Sequence, residues 1–376
     1  MRTRAVVLER TNGPLIVAEL ELAEPGEREV HVRIVASGVC HSDLNAIDGT
    51  AETPCPAVLG HEGAGVVEAV GAGVTRVRVG DHVALSWSPA CGSCAECVRD
   101  LSWLCTDARD AMNDGLLPSR AIRLSRAGEP VFHYSCLSTF AEHAVVAETS
   151  CIPAPDGVPL EVAALVGCAV TTGVGAVWNT AHAQPGESVA VIGCGGVGLS
   201  AVMAAVAAGA EPVIAVDTDE RKLAAAEALG ARLRVGWQGG AEATAEAVRE
   251  LTGGGVDHAI EATGRGEAML AAVLATRPRG SAVLIGIPRA DTVLPVPATL
   301  IQAGERRLVG SVYGSAKPER DFQTIFALYR AGRLPLERLI SHRLPLGRID
   351  EAFALMGSGE ALRVILDPTL PEAVAA

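Results

Sequence analysis

The chain has 376 residues, 49% of them hydrophobic, and this length suits two domains better than one ordinary core. Asp and Glu number 44 against 31 Lys and Arg, and the formal net charge of −13 disfavours nucleic acid as a partner. The first ten residues lack the apolar core of a signal peptide. The most apolar long stretch, 160–178, is interrupted by Gly, Thr and Cys. We therefore expect a cytoplasmic protein that does not span a membrane.

Short β-rich runs separated by Gly and Pro turns dominate the first 150 residues or so. These runs comprise 5–8, 30–35, 65–70, 83–87 and 143–146. Alternating or β-branched runs of this length predict strands. The first part of the chain is therefore predicted to form an all-β, barrel-like unit with long loops.

Four cysteines lie close together within this unit, at Cys91, Cys94, Cys97 and Cys105. Their C-x2-C-x2-C-x7-C spacing lets four thiolates converge on one ion and close its coordination shell. A disulfide knot is disfavoured in a reducing compartment. The spacing therefore predicts a structural zinc ion.

From about residue 170, apolar strands alternate with helical patterns. The predicted strands are 189–192, 213–216, 258–260 and 282–285, and the helices between them include 197–208 and 221–229. This alternation predicts a parallel, doubly wound sheet. Two amphipathic segments, 322–330 and 349–356, follow in the tail and are expected to pack on the first unit.

A glycine-rich turn after the first of these strands predicts a dinucleotide site. The turn comprises Gly193, Gly195, Gly196, Val197 and Gly198. It leads directly into a helix, whose N-terminus favours phosphate charge. Asp217 ends the next strand, where a carboxylate can accept from both ribose hydroxyls and repel a 2′-phosphate. NAD is therefore expected over NADP, although Arg221 and Lys222 lie nearby.

Three further residues, Cys40, His61 and Cys168, are candidate ligands of a second metal ion. An isolated buried Cys or His is more often a core residue. Two of the three lie in loops between predicted strands, where function concentrates, and Cys168 lies near the junction of the two predicted units. Two cysteines and one histidine with an open fourth position form a catalytic type of zinc site.

The chain resembles the zinc-dependent alcohol dehydrogenases of the medium-chain dehydrogenase/reductase family over essentially its whole length. The matching motifs are G-V-C-H-S-D around Cys40, G-H-E-G-A-G-V-V-E from Gly60, the four cysteines, G-C-A-V-T-T-G from Gly167, G-C-G-G-V-G-L from Gly193 and A-V-D ending at Asp217. The additional segment 106–133 resembles the long, dimeric branch and implies a homodimer.

The resemblance implies an α/β fold with two domains. A GroES-like β-barrel catalytic domain would comprise 1–169 and 313–376, and a Rossmann doubly wound parallel-sheet domain that binds NAD would comprise 170–312. Two zinc ions per chain are implied, a catalytic one held by Cys40, His61 and Cys168 and a structural one held by the four clustered cysteines. The implied reaction oxidises a primary alcohol to an aldehyde, or the reverse, by hydride transfer between a zinc-bound alkoxide and NAD.

Further roles follow from the same resemblance. Asp43 matches the residue that orients the ligand histidine, Glu62 a glutamate near the zinc ion, and Ser42 the hydroxyl that takes the substrate proton. Relatives commonly end this proton relay on a histidine where this chain has Asn45, which cannot titrate. Matches to cofactor contacts are His41, Thr172, Lys222 and Arg363. Matches to the substrate pocket are Ala51, Trp87 and Tyr134, and they imply a flat or extended primary alcohol.

Two other functions stay open. Arg109 matches an anion-binding residue of thiol-cofactor-dependent formaldehyde dehydrogenases, but the acidic partner expected there falls on Ala51, with Glu52 adjacent. The second is a non-catalytic NAD(H)-binding zinc protein, against which the intact set of ligands and Ser42 argue.

Overall fold

The computed structural model describes residues 1–371, which divide into two compact units. The first unit comprises Met1–Cys168, Lys317–Arg330 and the described residues from Glu337 onward, and the second comprises Ala169–Ala316 and Ala331–Leu336. Each unit has its own sheets and its own apolar core.

The strands in chain order are β1 (Arg2–Leu8), β2 (Leu15–Leu22), β3 (Glu29–Gly38), β4 (Ala57–Val58), β5 (Glu62–Val70), β6 (His82–Leu85), β7 (Leu124–Arg126), β8 (Glu129–His133), β9 (His143–Ala147), β10 (Cys151–Pro153), β11 (Val189–Ile192), β12 (Val213–Asp217), β13 (Leu233–Gly236), β14 (Val256–Glu261), β15 (Thr276–Leu284), β16 (Arg307–Gly310), β17 (Ile340–Leu344) and β18 (Arg363–Leu366).

The α-helices are α1 (His41–Asp48), α2 (Ala95–Val98), α3 (Thr106–Asn113), α4 (Leu160–Leu165), α5 (Thr171–Gly175), α6 (Gly196–Ala208), α7 (Glu220–Ala228), α8 (Ala241–Thr252), α9 (Gly266–Ala275), α10 (Ala298–Gly304), α11 (Pro318–Arg330) and α12 (Ile349–Gly357). Two π-helical segments, Val166–Val170 and Ala176–Ala181, flank α5. Short 3-10 turns lie at Ser102–Leu104, Glu148–Ser150, Tyr313–Ser315, Leu336–Leu339 and Leu346–Arg348.

The first unit contains a closed barrel and a second sheet. The barrel runs β1-β2-β7-β8-β4, and the seven-stranded sheet runs β10-β6-β5-β3-β18-β17 with β9 also paired to β3. Along the first part of β3, every second residue packs in one apolar cluster, namely Val30, Val32 and Ile34. His31 and Arg33 therefore lie on the opposite face of the sheet. This alternation leaves a row of polar side chains on one side of the sheet.

The second unit is a six-stranded parallel sheet in the order β13-β12-β11-β14-β15-β16. Strand β11 lies between β12 and β14, so the strand order reverses beside it. In doubly wound sheets such a reversal forms a crevice at the carboxyl ends of the strands, where ligands bind. The predicted α/β class, with a β-barrel and a doubly wound parallel sheet, is confirmed.

One helical stretch, Leu160–Ala181, is long and apolar enough to cross a membrane by length and composition. Of its most apolar window, 83% is buried within the structure. Core helices have the same composition, so this stretch is weak evidence for a membrane span.

Candidate metal centres and cofactor turn

Four buried side chains offer ligand atoms within 4.8 Å of one another in the first unit: Cys40, His61, Glu62 and Cys168. The exposed fraction is 6% for Cys40, 3% for His61 and 8% for Cys168. The structure therefore brings together the three predicted ligands that are scattered along the sequence. We call this cluster the buried centre.

The backbone positions two of these ligands at one end of a strand pair. Strand β3 leads to Cys40, which caps α1, and His61 directly precedes β5. The two strands are antiparallel, with Gly38 opposite Glu62, so both ligands emerge at the same end. A Cβ atom on Gly38 would lie 2.2 Å from the carboxylate of Glu62, and only glycine allows this close approach.

The donor set of the buried centre fits a zinc ion. The Nδ1 atom of His61 lies 2.9 Å from the Asp43 carboxylate, while Nε2 is buried without a hydrogen-bond partner among residues 1–371. A protonated Nδ1 leaves the Nε2 lone pair free for a metal ion. One imidazole nitrogen and two thiolates are the ligands of a catalytic zinc site with an open fourth position.

Asp43 is fully buried and accepts three hydrogen bonds. Besides the His61 ring, the backbone N–H of Cys40 donates to it at 3.0 Å and that of Gly60 at 3.3 Å. Burial raises the pKa of Asp43, and the His61 ring opposes that rise. The carboxylate thus fixes both the orientation of His61 and the turn that carries Cys40.

Glu62 forms a buried ion pair with Arg363, the first residue of β18. Burial raises the pKa of Glu62 to about 7, although the charge of Arg363 opposes the rise. The second carboxylate oxygen of Glu62 has no hydrogen-bond partner in the described part of the chain. The predicted contact of Arg363 with a cofactor stays a prediction.

Ser42 and Tyr134 adjoin the buried centre. The Tyr134 hydroxyl donates to the backbone carbonyl of Ser42 at 2.7 Å, and its ring meets the His61 ring edge-on at 5.7 Å. The Ser42 hydroxyl lies 3.8 Å from the Cys40 sulfur. Tyr134 therefore packs on one ligand and fixes the turn that carries another. No local sequence pattern predicts this link, because the two residues are far apart in the chain.

The remaining predicted residues of the first unit lie in several places. His41 is the exposed first residue of α1, and Asn45 is half-buried in the same helix. Ala51 is exposed beyond that helix, with its N–H donating to the Asn45 carbonyl. Trp87 is half-buried against the apolar cluster of the second sheet. Their roles stay predictions.

The four clustered cysteines also converge, and we call Cys91, Cys94, Cys97 and Cys105 the cysteine lobe. The sulfur atoms of Cys91 and Cys97 are 3.9 Å apart, as are those of Cys94 and Cys105. A tetrahedron with zinc–sulfur bonds of about 2.3 Å has edges of about 3.8 Å. The N–H of Cys94 also donates to the Cys91 sulfur. The lobe therefore fits one zinc ion whose coordination shell is closed by four thiolates.

The glycine-rich turn of the second unit joins β11 to α6. Gly193 has a φ of 94°, and a Cβ on Gly198 would lie 1.7 Å from the Gly193 carbonyl oxygen. A Cβ on Gly195, by contrast, would meet nothing within 4 Å. The turn is thus tightly packed on one side and open at the N-terminus of α6, where a pyrophosphate fits. Gly196 and Val197 begin that helix.

Asp217 lies at the end of β12 beside this turn. Its carboxylate accepts from the N–H of Cys194 at 2.7 Å and from that of Asp219 at 2.9 Å. Arg221 is held by Asp219, at 2.7 Å between guanidinium and carboxylate. Lys222 is half-buried in α7, and Thr172 is buried in α5.

The comparisons with known proteins agree with this geometry. A family model described as an alcohol dehydrogenase GroES-like domain matches residues 26–156, and one described as a zinc-binding dehydrogenase matches residues 196–330. The predicted GroES-like and Rossmann domain types are thereby confirmed.

Two solved structures resemble the whole chain. An alcohol dehydrogenase zinc-binding domain protein from Burkholderia ambifaria is 37% identical with a TM-score of 0.94, covering 99% of this chain and 100% of its own. A benzyl alcohol dehydrogenase from Acinetobacter calcoaceticus is 32% identical with a TM-score of 0.92, covering 98% and 99%.

The alcohol dehydrogenase TADH from Thermus sp. ATN1 is 29% identical with a TM-score of 0.82, covering 97% of this chain and 99% of its own. Two family models and full-length relatives above 30% identity agree with the donor sets of both cysteine-containing clusters. The chain therefore belongs to the zinc-dependent alcohol dehydrogenases of the medium-chain dehydrogenase/reductase family, and it is an alcohol oxidoreductase.

Proposed function

We propose that this chain interconverts a primary alcohol and its aldehyde with NAD, at a zinc ion held by Cys40, His61 and Cys168. The observation that carries the proposal is the buried Nε2 atom of His61, which has no hydrogen-bond partner among residues 1–371 and lies beside two buried cysteines. When bound, zinc supplies a Lewis acid that lowers the pKa of an alcohol, and NAD supplies the hydride acceptor.

Residues of the chain hold the proton of His61 in place and would carry away the proton of the substrate. Asp43 keeps the proton of His61 on Nδ1, so that Nε2 faces the two sulfur atoms. The Ser42 hydroxyl lies 3.8 Å from the Cys40 sulfur and would accept the substrate proton and pass it on. Because Asn45 cannot store that proton, ordered water or His41 would take it.

The cofactor preference rests on Asp217. Its carboxylate stands at the end of β12 and would accept from the ribose hydroxyls, while its charge would repel a 2′-phosphate. Asp219 engages the Arg221 guanidinium, which reduces the positive charge available to such a phosphate. We therefore favour NAD over NADP, with His41, Thr172, Lys222 and Arg363 as further contacts.

The substrate class is a flat or extended primary alcohol. The 32% identical relative from Acinetobacter calcoaceticus is a benzyl alcohol dehydrogenase, and Trp87 and Ala51 supply a large aromatic and a small side chain at the predicted pocket positions. Arg109, which would serve a thiol adduct, is paired with its neighbour Asp110. We propose further a homodimer in the cytoplasm, the predicted domain boundaries, and one structural and one catalytic zinc ion per chain.

A panel of alcohols tests the proposal. We expect NAD reduction with benzyl alcohol and longer primary alcohols, and no requirement for a low-molecular-weight thiol when formaldehyde is supplied. Activity only with formaldehyde plus a thiol would favour the thiol-dependent alternative. Absence of turnover, in protein that contains two zinc ions and binds NAD, would favour the alternative of a non-catalytic NAD(H)-binding zinc protein.

A substitution at Asp217 tests the cofactor preference. Asp217→Gly should weaken NAD affinity by about 10–100-fold, because a hydrogen bond to a charged group contributes about 1.5–3 kcal/mol. The substitution should also reduce the difference between the affinities for NAD and NADP. Glu220→Gln, which removes an exposed carboxylate nearby, is the control and should change neither. Equal use of both cofactors by the wild type would contradict the assignment.

A further inference from the structure

A third cluster of metal-ligand side chains lies on the second sheet of the first unit. It comprises His31 on β3, Glu68 on β5 and His143 on β9, and we call it the sheet site. The His31 Nε2 and His143 Nδ1 atoms are 3.1 Å apart. The Glu68 carboxylate lies 3.4 Å from the His143 nitrogen and 3.9 Å from the His31 nitrogen.

The strand register explains why these three side chains meet. Strand β3 lies between β5 and β9, with His31 on the face opposite the apolar cluster. In β5, Ala69 pairs with His31 and Val67 pairs with Val32, so Glu68 is an extra, bulged residue. A bulge redirects a side chain locally. Here it places the carboxylate beside the two imidazole rings.

The distances fit the coordination shell of a small divalent ion. Metal–nitrogen bonds of about 2.0–2.1 Å in a tetrahedron require ligand atoms about 3.3 Å apart. The three separations in the sheet site are 3.1, 3.4 and 3.9 Å, so small side-chain movements suffice. Two imidazoles and one carboxylate form a donor set that binds zinc, nickel or copper. A fourth position stays open to water.

Hydrogen bonds alone do not place a proton between each pair of the three facing atoms, which are the two imidazole nitrogens and the Glu68 carboxylate oxygen. Burial lowers the pKa of both His31 and His143, because it disfavours the charged imidazolium. If His31 donates to the Nδ1 lone pair of His143, no proton lies between that nitrogen and the Glu68 carboxylate, which is 3.4 Å away. If His143 donates instead, its single Nδ1 proton is shared between the His31 nitrogen and the Glu68 carboxylate. If both facing nitrogens carry protons, two N–H groups oppose each other. A cation is attracted by all three atoms at once.

The surrounding charges and exposure also suit a cation. The carboxylates of Glu24 and Glu142 act on the two rings in addition to Glu68. Arg33, which binds one oxygen of Glu68 at 2.9 Å, and the N-terminal ammonium oppose them. The side-chain exposure is 9% for His31, 17% for His143 and 37% for Glu68, so the site is shielded yet reachable from solvent.

We propose that His31, Glu68 and His143 bind a divalent transition-metal ion of the Zn²⁺ and Ni²⁺ class, separate from the buried centre and the cysteine lobe. Such an ion links β3, β5 and β9. Cys40 and His61 lie at the other end of the same strand pair, β3 and β5. The ion therefore fixes the register of the two strands that position both ligands of the buried centre.

Calorimetric titration with Ni²⁺ near neutral pH tests the proposal, on protein that contains two zinc ions per chain, with zinc content measured before and after to detect exchange. The wild type should bind one equivalent of Ni²⁺ without releasing zinc. His143→Gln should weaken this binding by more than about 100-fold, beyond what loss of an outer partner of a metal ligand costs. His82→Gln, on neighbouring β6, is the matched control and should bind as the wild type does.

Thermal unfolding gives a second measurement. Ni²⁺ should raise the Tm of the wild type and of His82→Gln, but not that of His143→Gln. If His143→Gln does not fold, Glu68→Gln, at a partly exposed position, replaces it and should weaken binding by about tenfold or more. Absence of an added equivalent in the wild type, or unchanged binding in the folded variant, would overturn the proposal. Both measurements are made without alcohol turnover, so the result is independent of the proposed function.

Discussion

The cysteine lobe and the buried centre both offer cysteine thiols to a metal ion, but the lobe takes its ligands from one short segment and the centre from distant parts of the chain. The lobe draws all its ligands from residues 91–105, and two of its four cysteines are half-buried and one is exposed. The buried centre draws its ligands from Cys40, His61 and Cys168, all of which are buried. A local site can therefore organise a loop, whereas a dispersed site requires a sheet that is already formed. The comparison predicts that zinc is needed for stability in the lobe and for chemistry in the centre.

Cys168→Ser should produce the largest effect on activity. Losing a thiolate from the centre removes the Lewis acid, which contributes several kcal/mol, so turnover should fall by about 10³-fold or more. Zinc should fall from two ions to one per chain, with a modest loss of stability. Metal analysis and steady-state kinetics measure both. Cys151→Ser, at a buried cysteine outside both clusters, should retain both zinc ions.

Cys97→Ser should produce the largest effect on stability. The lobe has few buried side chains, so its fold depends on the ion, and loss of a structural metal site is among the most destabilising changes. We expect a lower yield of soluble protein and a Tm lower by several degrees. Differential scanning calorimetry of both variants makes the comparison. Equal destabilisation by Cys97→Ser and Cys168→Ser would contradict the proposed division of roles.

Asp43→Asn should have an intermediate effect that is confined to the buried centre. The carboxamide can still accept from His61 but lacks the charge that orients the ring and raises its basicity. Activity or zinc affinity should fall by about 10–100-fold. Asp48→Asn, at an exposed position of the same helix, should leave both unchanged. A normal zinc affinity and turnover in Asp43→Asn would show that the hydrogen bond is dispensable.

Tyr134→Phe should have a smaller effect. It removes the hydrogen bond from the phenol to the Ser42 carbonyl but keeps the ring against His61. Such a bond contributes about 1 kcal/mol, so we expect a several-fold loss of activity and a Tm lower by a few degrees. Tyr329→Phe, at a position on α11, is a control that should change neither. Retention of wild-type kinetics would show that the turn at Ser42 needs no such support.

The same contrast explains how far sequence could predict the site. The spacing of the lobe is a local pattern, so convergence of its cysteines could be expected without knowledge of the fold. Cys40 and Cys168 could be connected only through the resemblance to a family. The ion pair of Glu62 with Arg363 and the hydrogen bond of Tyr134 join distant parts of the chain and have no local pattern.

The sheet site escaped prediction for a related reason. Its carboxylate reaches the imidazoles through the bulge at Glu68, and a bulge of one residue leaves the alternation of β5 ambiguous in sequence. The fold class was predictable because alternating strands and helices, and short β-rich runs, each favour one architecture.

Asn45→His should have the smallest effect and bears on the path of the proton. Oxidation releases a proton that Ser42 can pass on but cannot store. Asn45 lies three residues beyond Ser42 in α1, and residues at this spacing lie on the same face of a helix. An imidazole there could accept the proton, which in the wild type leaves through water or His41. We expect proton release to be faster by about twofold at most, because water already substitutes.

The pH dependence identifies the acceptor. The gain should be present above an imidazole pKa of about 6.5 and lost below it, where the new ring is already protonated. Single-turnover rates from about pH 6 to about pH 10 bracket this transition. Asn45→Gln, which keeps a carboxamide, should show no new inflection, and Ser42→Ala should nearly abolish turnover. An unchanged profile in Asn45→His, or full activity in Ser42→Ala, would place the proton path elsewhere. If His41 is the native acceptor, His41→Gln should slow the wild type but not Asn45→His, because the new imidazole then takes over its role.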